Sequence, residues 1–277
     1  PAGATDYRIR DSYKLPVDVQ LLWINPHAHY LAREMKGWAR GPDGSQRWLF
    51  LIKQWDFNWQ GDYSYREPMS LLKGTEVFME FTYDNSTNNT HNPNNPPSRV
   101  QFGQQSTDEM GELWLQVLTR DGRERALLEN DFQKKNLAEM TSYYEHRLRL
   151  DPNDSRAHCR LGFAKMSMGR RPEATVHFRR AIELDQREDE AHLFLGMIGL
   201  GERRYAEARR EFDAALRLNP NNYLAEGNLG LLYMSTGQLS EAEAHLRAAL
   251  RLNPNDLTAQ ENLRRVLAAL GKPAPPR

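Results

Sequence analysis

The segment Pro26-His27-Ala28-His29 closes an alternating apolar run made by Val17, Val19, Leu21 and Trp23. In an extended strand, side chains two apart leave the same face, so the imidazoles of His27 and His29 are predicted to converge on one point. That is the spacing of a metal-binding pair, and the competing reading is two exposed surface histidines. Further along, Thr107-Asp108-Glu109-Met110 leads into a second apolar strand, Leu113-Trp114-Leu115-Gln116-Val117-Leu118. At its entrance Met110 offers a thioether as third ligand. Two imidazoles and a thioether are too soft a set for magnesium or calcium, and they lack the thiolates of a structural zinc site. They suit copper, above all cuprous copper, at one ion per chain. Three protein ligands leave a position open for dioxygen or substrate.

The elements that must hold these residues read as strands from Leu15 to Leu118. The turn cluster Gly41-Pro42-Asp43-Gly44 predicts a hairpin between Glu34–Ala39 and Trp48–Ile52, and Glu76 to Tyr83 reads as a further strand. Trp55, Phe57 and Trp59 alternate with polar residues, which predicts one aromatic face filling a sandwich core rather than a redox relay. Asp84 to Arg99 is dense in Asn and Pro and reads as a long surface loop bordering the metal site; its His91 reads as solvated. The pattern favours an antiparallel two-sheet sandwich.

With both motifs in this order, the span from about Asp6 to Leu118 resembles the C-terminal copper domain of the copper type II, ascorbate-dependent monooxygenases, the family of peptidylglycine alpha-hydroxylating and dopamine beta-monooxygenases. The resemblance implies a jelly-roll-like sandwich, His27, His29 and Met110 as ligands of an oxygen-binding copper, and an extracytoplasmic (periplasmic or secreted) setting. It does not carry peptide amidation. Asn25, Glu112 and Trp114 stand where that enzyme holds its substrate carboxylate with Arg, Asn and Tyr, and a glutamate repels a carboxylate. Gly111 stands where the family often has Cys. The family's second copper, held by three histidines of a preceding domain, has no ligand set in this sequence. His146, His158, His177, His192 and His245 all lie in the later helical part.

That part begins after Arg120-Asp121-Gly122, where strand patterns give way to helical ones. Leu161-Gly162, Leu195-Gly196 and Leu229-Gly230 recur at a constant spacing of about 34 residues. Ala174, Ala208 and Ala242 share the period, as do Phe178, Phe212 and Leu246, and Ala181, Ala215 and Ala249; Pro220 and Pro254 follow it. This pattern resembles the tetratricopeptide repeat, in which small residues let paired helices approach while Leu and Phe fill the space beside them. The resemblance implies a partner-binding groove lined by first-helix residues: Phe163, Met166 and Cys159, then Leu193, Met197 and Leu200, then Leu231, Met234 and Gly227. So apolar a lining predicts a contact surface for a partner protein or for a neighbouring copy in a homo-oligomer. Leu263, Val266, Leu267 and Leu270 form an apolar stripe, and Arg264 replaces the unit glycine, which predicts a terminal cap.

The fold class expected is therefore α+β and multidomain: an antiparallel β-sandwich over 1–119, a connecting helix and half repeat over 120–150, and a helical solenoid of three repeats plus a capping helix over 151–277. A chain of 277 residues accommodates this. Lys and Arg number 37 and so do Asp and Glu, which gives no pull toward nucleic acid, and no apolar run reaches membrane-span length. The lone Cys159 permits no intrachain disulfide and reads as a small apolar helix residue. Asn85, Asn88 and Asn153 fit the glycosylation acceptor pattern, which an Asn-rich chain produces by chance. Beginning with Pro1, the sequence is expected to be part of a longer or processed chain. Three functional readings stand: the copper-site half of a monooxygenase tethered to a partner-binding solenoid, a non-catalytic copper-binding assembly protein, or a structural sandwich that binds no metal.

Overall fold

The computed structural model describes residues 1–100 and 108–273; Thr107, named above, lies outside them. By contact density the chain divides into two units, Pro1–Gln133 and Lys134–Arg277.

In the first unit seven strands form two antiparallel sheets. They are β1 Tyr7–Lys14, β2 Val19–Ala28, β3 Ala32–Arg40, β4 Gln46–Ile52, β5 Tyr63–Leu71, β6 Glu76–Tyr83 and β7 Gly111–Leu118. One sheet has the order β1-β6-β3-β4 and the other β5-β2-β7. Val19, Leu21 and Leu71 of the smaller sheet pack with Ala39 and Val77 of the larger in one core, and Met35, Phe81 and Tyr83 form a second with Ala28 and Leu31. Gly41–Ser45 closes the expected hairpin, with Gly44 at φ 81° in the left-handed region. The alternating aromatics from Trp55 to Trp59 are not a strand. Asp56 accepts the N–H of Asn58 and caps a 3-10 turn over Phe57–Trp59, so Trp55 packs against the core while Trp59 stands 82% exposed. Asn85 is buried, with its amide donating to the carbonyls of Pro1 and Ser98, and so is closed to glycosylation.

β2 changes face midway. Val17, Val19 and Leu21 are buried, and then Ile24, Pro26 and Ala28. The switch from odd to even positions occurs at a bulge between Leu21 and Trp23, where the pairing of β2 with β7 passes from Leu21–Val117 to Trp23–Gln116 and leaves Leu22 as the extra residue. The bulge sends Asn25 and His27 to the side of β2 away from the core.

Helix α1, Gly122–Leu150, contributes Leu128, Asp131 and Phe132 to the first unit, where Tyr13 donates to Asp131 and its ring meets Phe132 edge-on. The second unit holds three helix pairs and a last helix: α2 Ser155–Ser167 with α3 Arg171–Leu184, α4 Asp189–Gly201 with α5 Tyr205–Leu218, α6 Tyr223–Ser235 with α7 Leu239–Leu252, and α8 Leu257–Ala269. Asp154, Asn222 and Asp256 cap α2, α6 and α8 through their side chains. Gly162, Gly196 and Gly230 each face a large side chain of the paired helix. A Cβ there would lie 2.7 Å, 2.5 Å and 2.6 Å from Phe178, Phe212 and Leu246, so only glycine lets the helices close. Arg264, at the equivalent place on α8, is exposed, and among the described residues no helix follows α8.

Candidate metal centre

His27 lies within β2 and His29 just past its end. Their rings meet edge-on with centroids 5.3 Å apart. His27 is half-buried and His29 is buried, the latter against the edge of Phe57 at 5.6 Å. Trp55 Nε1 donates to the carbonyl of His29 at 3.2 Å and fixes the backbone there.

The two Nδ1 atoms are engaged. His27 Nδ1 is hydrogen-bonded to Gln60 Oε1, and Gln60 Nε2 donates to the carbonyl of Phe57 at 3.0 Å, which orients the amide with its oxygen toward the imidazole. His29 Nδ1 faces the carbonyl of Asp108 at 3.1 Å. Both partners are acceptors, so both imidazoles carry their proton on Nδ1 and keep a lone pair on Nε2. Histidines that ligate metal are oriented in this way, by an outer oxygen on the second ring nitrogen.

Met110 immediately precedes β7. The register pairs Ala28 with Gly111 and His27 with Glu112, and continuing it by one step sets Met110 across from His29. Glu109 ties the two segments together. Its carboxylate accepts the backbone N–H of His29 at 2.6 Å, of Leu31 at 2.9 Å and of Met110 at 3.0 Å. Burial raises the Glu109 carboxyl above the usual glutamate range, against the pull of those three donors. Tyr83 donates to the carbonyl of Met110 at 2.7 Å. At Gly111 a Cβ would collide with Ile9 and the Tyr83 hydroxyl, which explains physically why no side chain follows the methionine.

Beside His27 the sheet surface is polar and acidic. Asn25 donates to Asp62 at 2.7 Å and pairs across from Trp114, whose Nε1 donates to Glu112 at 3.0 Å. His91 is exposed in the Asn-rich loop, which touches the neighbourhood through Asn89 Nδ2 donating to the Tyr30 carbonyl at 3.3 Å. Gln60 and Glu109 escaped the sequence reading. Glu109 had a signal, since it sits inside the Asp-Glu-Met motif, whereas nothing in the sequence marks Gln60.

The first helices of successive units, α2, α4, α6 and α8, adjoin one another. Of the residues expected to line their shared face, Met197 and Leu231 are exposed, at 37% and 36%. Phe163, Met166, Leu200, Met234 and Gly227 are half-buried. Leu193 and Cys159 are buried in the interhelical cores. Burial, reinforced by Glu188 and Glu190, pushes the Cys159 thiol up to about 12, so it packs as an inert apolar group.

Sequence comparison identifies tetratricopeptide repeats over residues 159–223 and 200–272. No curated protein matches the chain. Solved structures similar to it include a crystal structure of MamA, with 21% identity over 56% of this chain and 87% of that one and a TM-score of 0.45. Another is PilF of Pseudomonas aeruginosa, with 22% identity over 50% of this chain and 64% of that one and a TM-score of 0.47. A third is the first repeat domain of Spaghetti (RPAP3) bound to an HSP90 peptide, with 20% identity over 44% of this chain and 97% of that one and a TM-score of 0.42.

Proposed function

With tetratricopeptide repeats making up its helical part, we propose that this chain is a copper-binding protein that joins a single copper centre to a partner-binding solenoid. The observation that carries the reading is the pair of imidazoles with both Nδ1 atoms held by oxygen acceptors and both Nε2 lone pairs left for an ion. His27 and His29 are the nitrogen ligands, and Met110, held in place by Glu109 and Tyr83, is the thioether ligand. The donor set fits copper and favours its cuprous form. When bound, copper with an open position supplies oxygen activation, given a source of electrons. This chain's residues would orient the ligands and set an acidic surface through Glu112 and Asp62 beside His27, which disfavours anionic substrates. The resemblance to the monooxygenases suggests an extracytoplasmic setting.

Metal analysis of the purified chain tests the proposal. In a chain carrying His158→Gln and His177→Gln, so that the facing imidazoles of the first helix pair take no copper, copper near one ion per chain is expected, lost when His27 and His29 are also replaced by alanine. Met110→Ile is expected to retain cupric binding and weaken cuprous binding. Full copper stoichiometry after loss of His27 and His29 in that background would overturn the assignment. Oxygen uptake with ascorbate then separates a catalytic centre from a binding one. The isolated chain is expected to consume oxygen slowly, because this sequence supplies no counterpart to the three-histidine set that feeds electrons in the monooxygenases it resembles.

A further inference from the structure

Each repeat unit carries a polar pair at the same two places, one on its first helix and one on its second. In the second unit His192 Nδ1 meets Glu211 at 2.7 Å, and in the third His245 Nδ1 meets Glu226 at 2.7 Å. Each imidazole there has a carboxylate to bond. The first unit has histidine at both places, and Nδ1 of His158 lies 3.1 Å from Nδ1 of His177. Their ring centroids are 5.3 Å apart and the planes are inclined by 33°. His158 Nε2 faces the carbonyl of Pro152 at 3.2 Å, and a carbonyl only accepts. His158 therefore carries its proton on Nε2 and presents an Nδ1 lone pair, while His177 supplies the proton that lies between the rings.

Two nitrogens bound to one ion at about 2.0–2.1 Å stand roughly 2.9–3.4 Å apart, for bond angles between square and tetrahedral. The observed separation falls inside that range. We propose that His158 and His177 form a metal site of their own, a two-imidazole seat for a borderline divalent ion such as Ni²⁺, Zn²⁺ or Cu²⁺, with water completing its shell. When an ion takes the place of the shared proton, His177 moves that proton to Nε2. The net proton count is unchanged, and a small rotation of each ring about χ2 turns both lone pairs onto the ion. The Pro152 carbonyl holds the His158 ring in its ligating tautomer. Both residues are half-buried, so solvent and ions reach them. The site does not depend on the His27–His29 centre.

The test uses the full chain without a histidine tag, carrying His27→Ala and His29→Ala so that the strand centre contributes nothing, and Ni²⁺ as the probe in calorimetric titration near neutral pH. One equivalent of Ni²⁺ is expected to bind, and that equivalent is lost on adding either His158→Gln or His177→Gln with helical circular dichroism unchanged. His177→Glu copies the pair already present in the second unit and so guards against a folding failure. In that variant a Cu²⁺ electron paramagnetic resonance spectrum should fall from two nitrogen couplings to one. Absence of Ni²⁺ binding in the parent, binding that survives both glutamine variants, or an unchanged nitrogen pattern would overturn the assignment.

Discussion

Glu109 is the residue on which the strand centre's geometry turns, because one carboxylate satisfies three backbone N–H groups from two distant segments. Removing it leaves those donors unpaired and unties Met110 from His29. Glu109→Ala is expected to cost about 1–3 kcal/mol of stability, read from chemical denaturation, since buried donors without acceptors cost on that order. It should also weaken the proposed copper binding although no proposed ligand has changed; unaltered affinity would show that the clamp does not position Met110. At this scale the candidate ligands were legible. Imidazole, imidazole and thioether are chemically distinctive, and their order along the chain is plain in the sequence. The residues that orient them were not legible, because Gln60 meets His27 through a fold contact that no local pattern encodes.

Among the elements, the repeats were the most transparent, because each unit solves the same packing problem with the same residues. Glycine sits where a ring or leucine of the paired helix arrives, and a cap opens α2, α6 and α8. One unit departs from the others. The turn joining its two helices has Arg203 at φ 59°, where the equivalent turns of the other two pairs have Gly169 and Gly237 at φ 78° and 77°, and the turn after α8 has Gly271 at φ 67°. The turn hydrogen bond is alike in all four, from Arg203 N to the Leu200 carbonyl at 3.0 Å in this one. A left-handed backbone costs a side-chain-bearing residue on the order of 1 kcal/mol. Arg203→Gly is therefore expected to raise stability by about that amount, less glycine's greater freedom in the unfolded chain, and thermal melting should show a higher midpoint. A lower midpoint would mean that the arginine side chain contributes more than its backbone costs. The strands were harder to read than the helices. β1 and β5 are edge strands with mostly exposed residues, so the apolar alternation that identifies a half-buried strand is missing from them. The run from Trp55 to Trp59 alternates, yet Asp56 turns it into a cap.

For the whole molecule, the division into a strand-built unit and a repeat unit was visible where the hydrophobic period changes, although one helix, α1, runs through the boundary between them. Among the described residues no helix is long and apolar enough to cross a membrane. The proposed partner surface has two residues that solvent already reaches, Met197 and Leu231, and they allow a clean test. Replacing both with glutamate should leave helical content intact and abolish association with a partner or a second copy, measured by sedimentation or pull-down; association unchanged would remove the surface from consideration. The corresponding change at buried Leu193 would instead place a charge inside the interhelical core. The strand unit has a different kind of sensitivity, which follows from the extra residue at Leu22. Without the bulge, a regular strand that kept all its residues would put His27 in phase with Val19 and Leu21 and turn the imidazoles inward. Deleting Leu22 instead leaves Trp23 across from Gln116 and His27 on its present face. The outward histidine face thus needs either the bulge or a strand one residue shorter, and a survey that fixed the distance between the apolar run and the histidine pair would miss the shorter form.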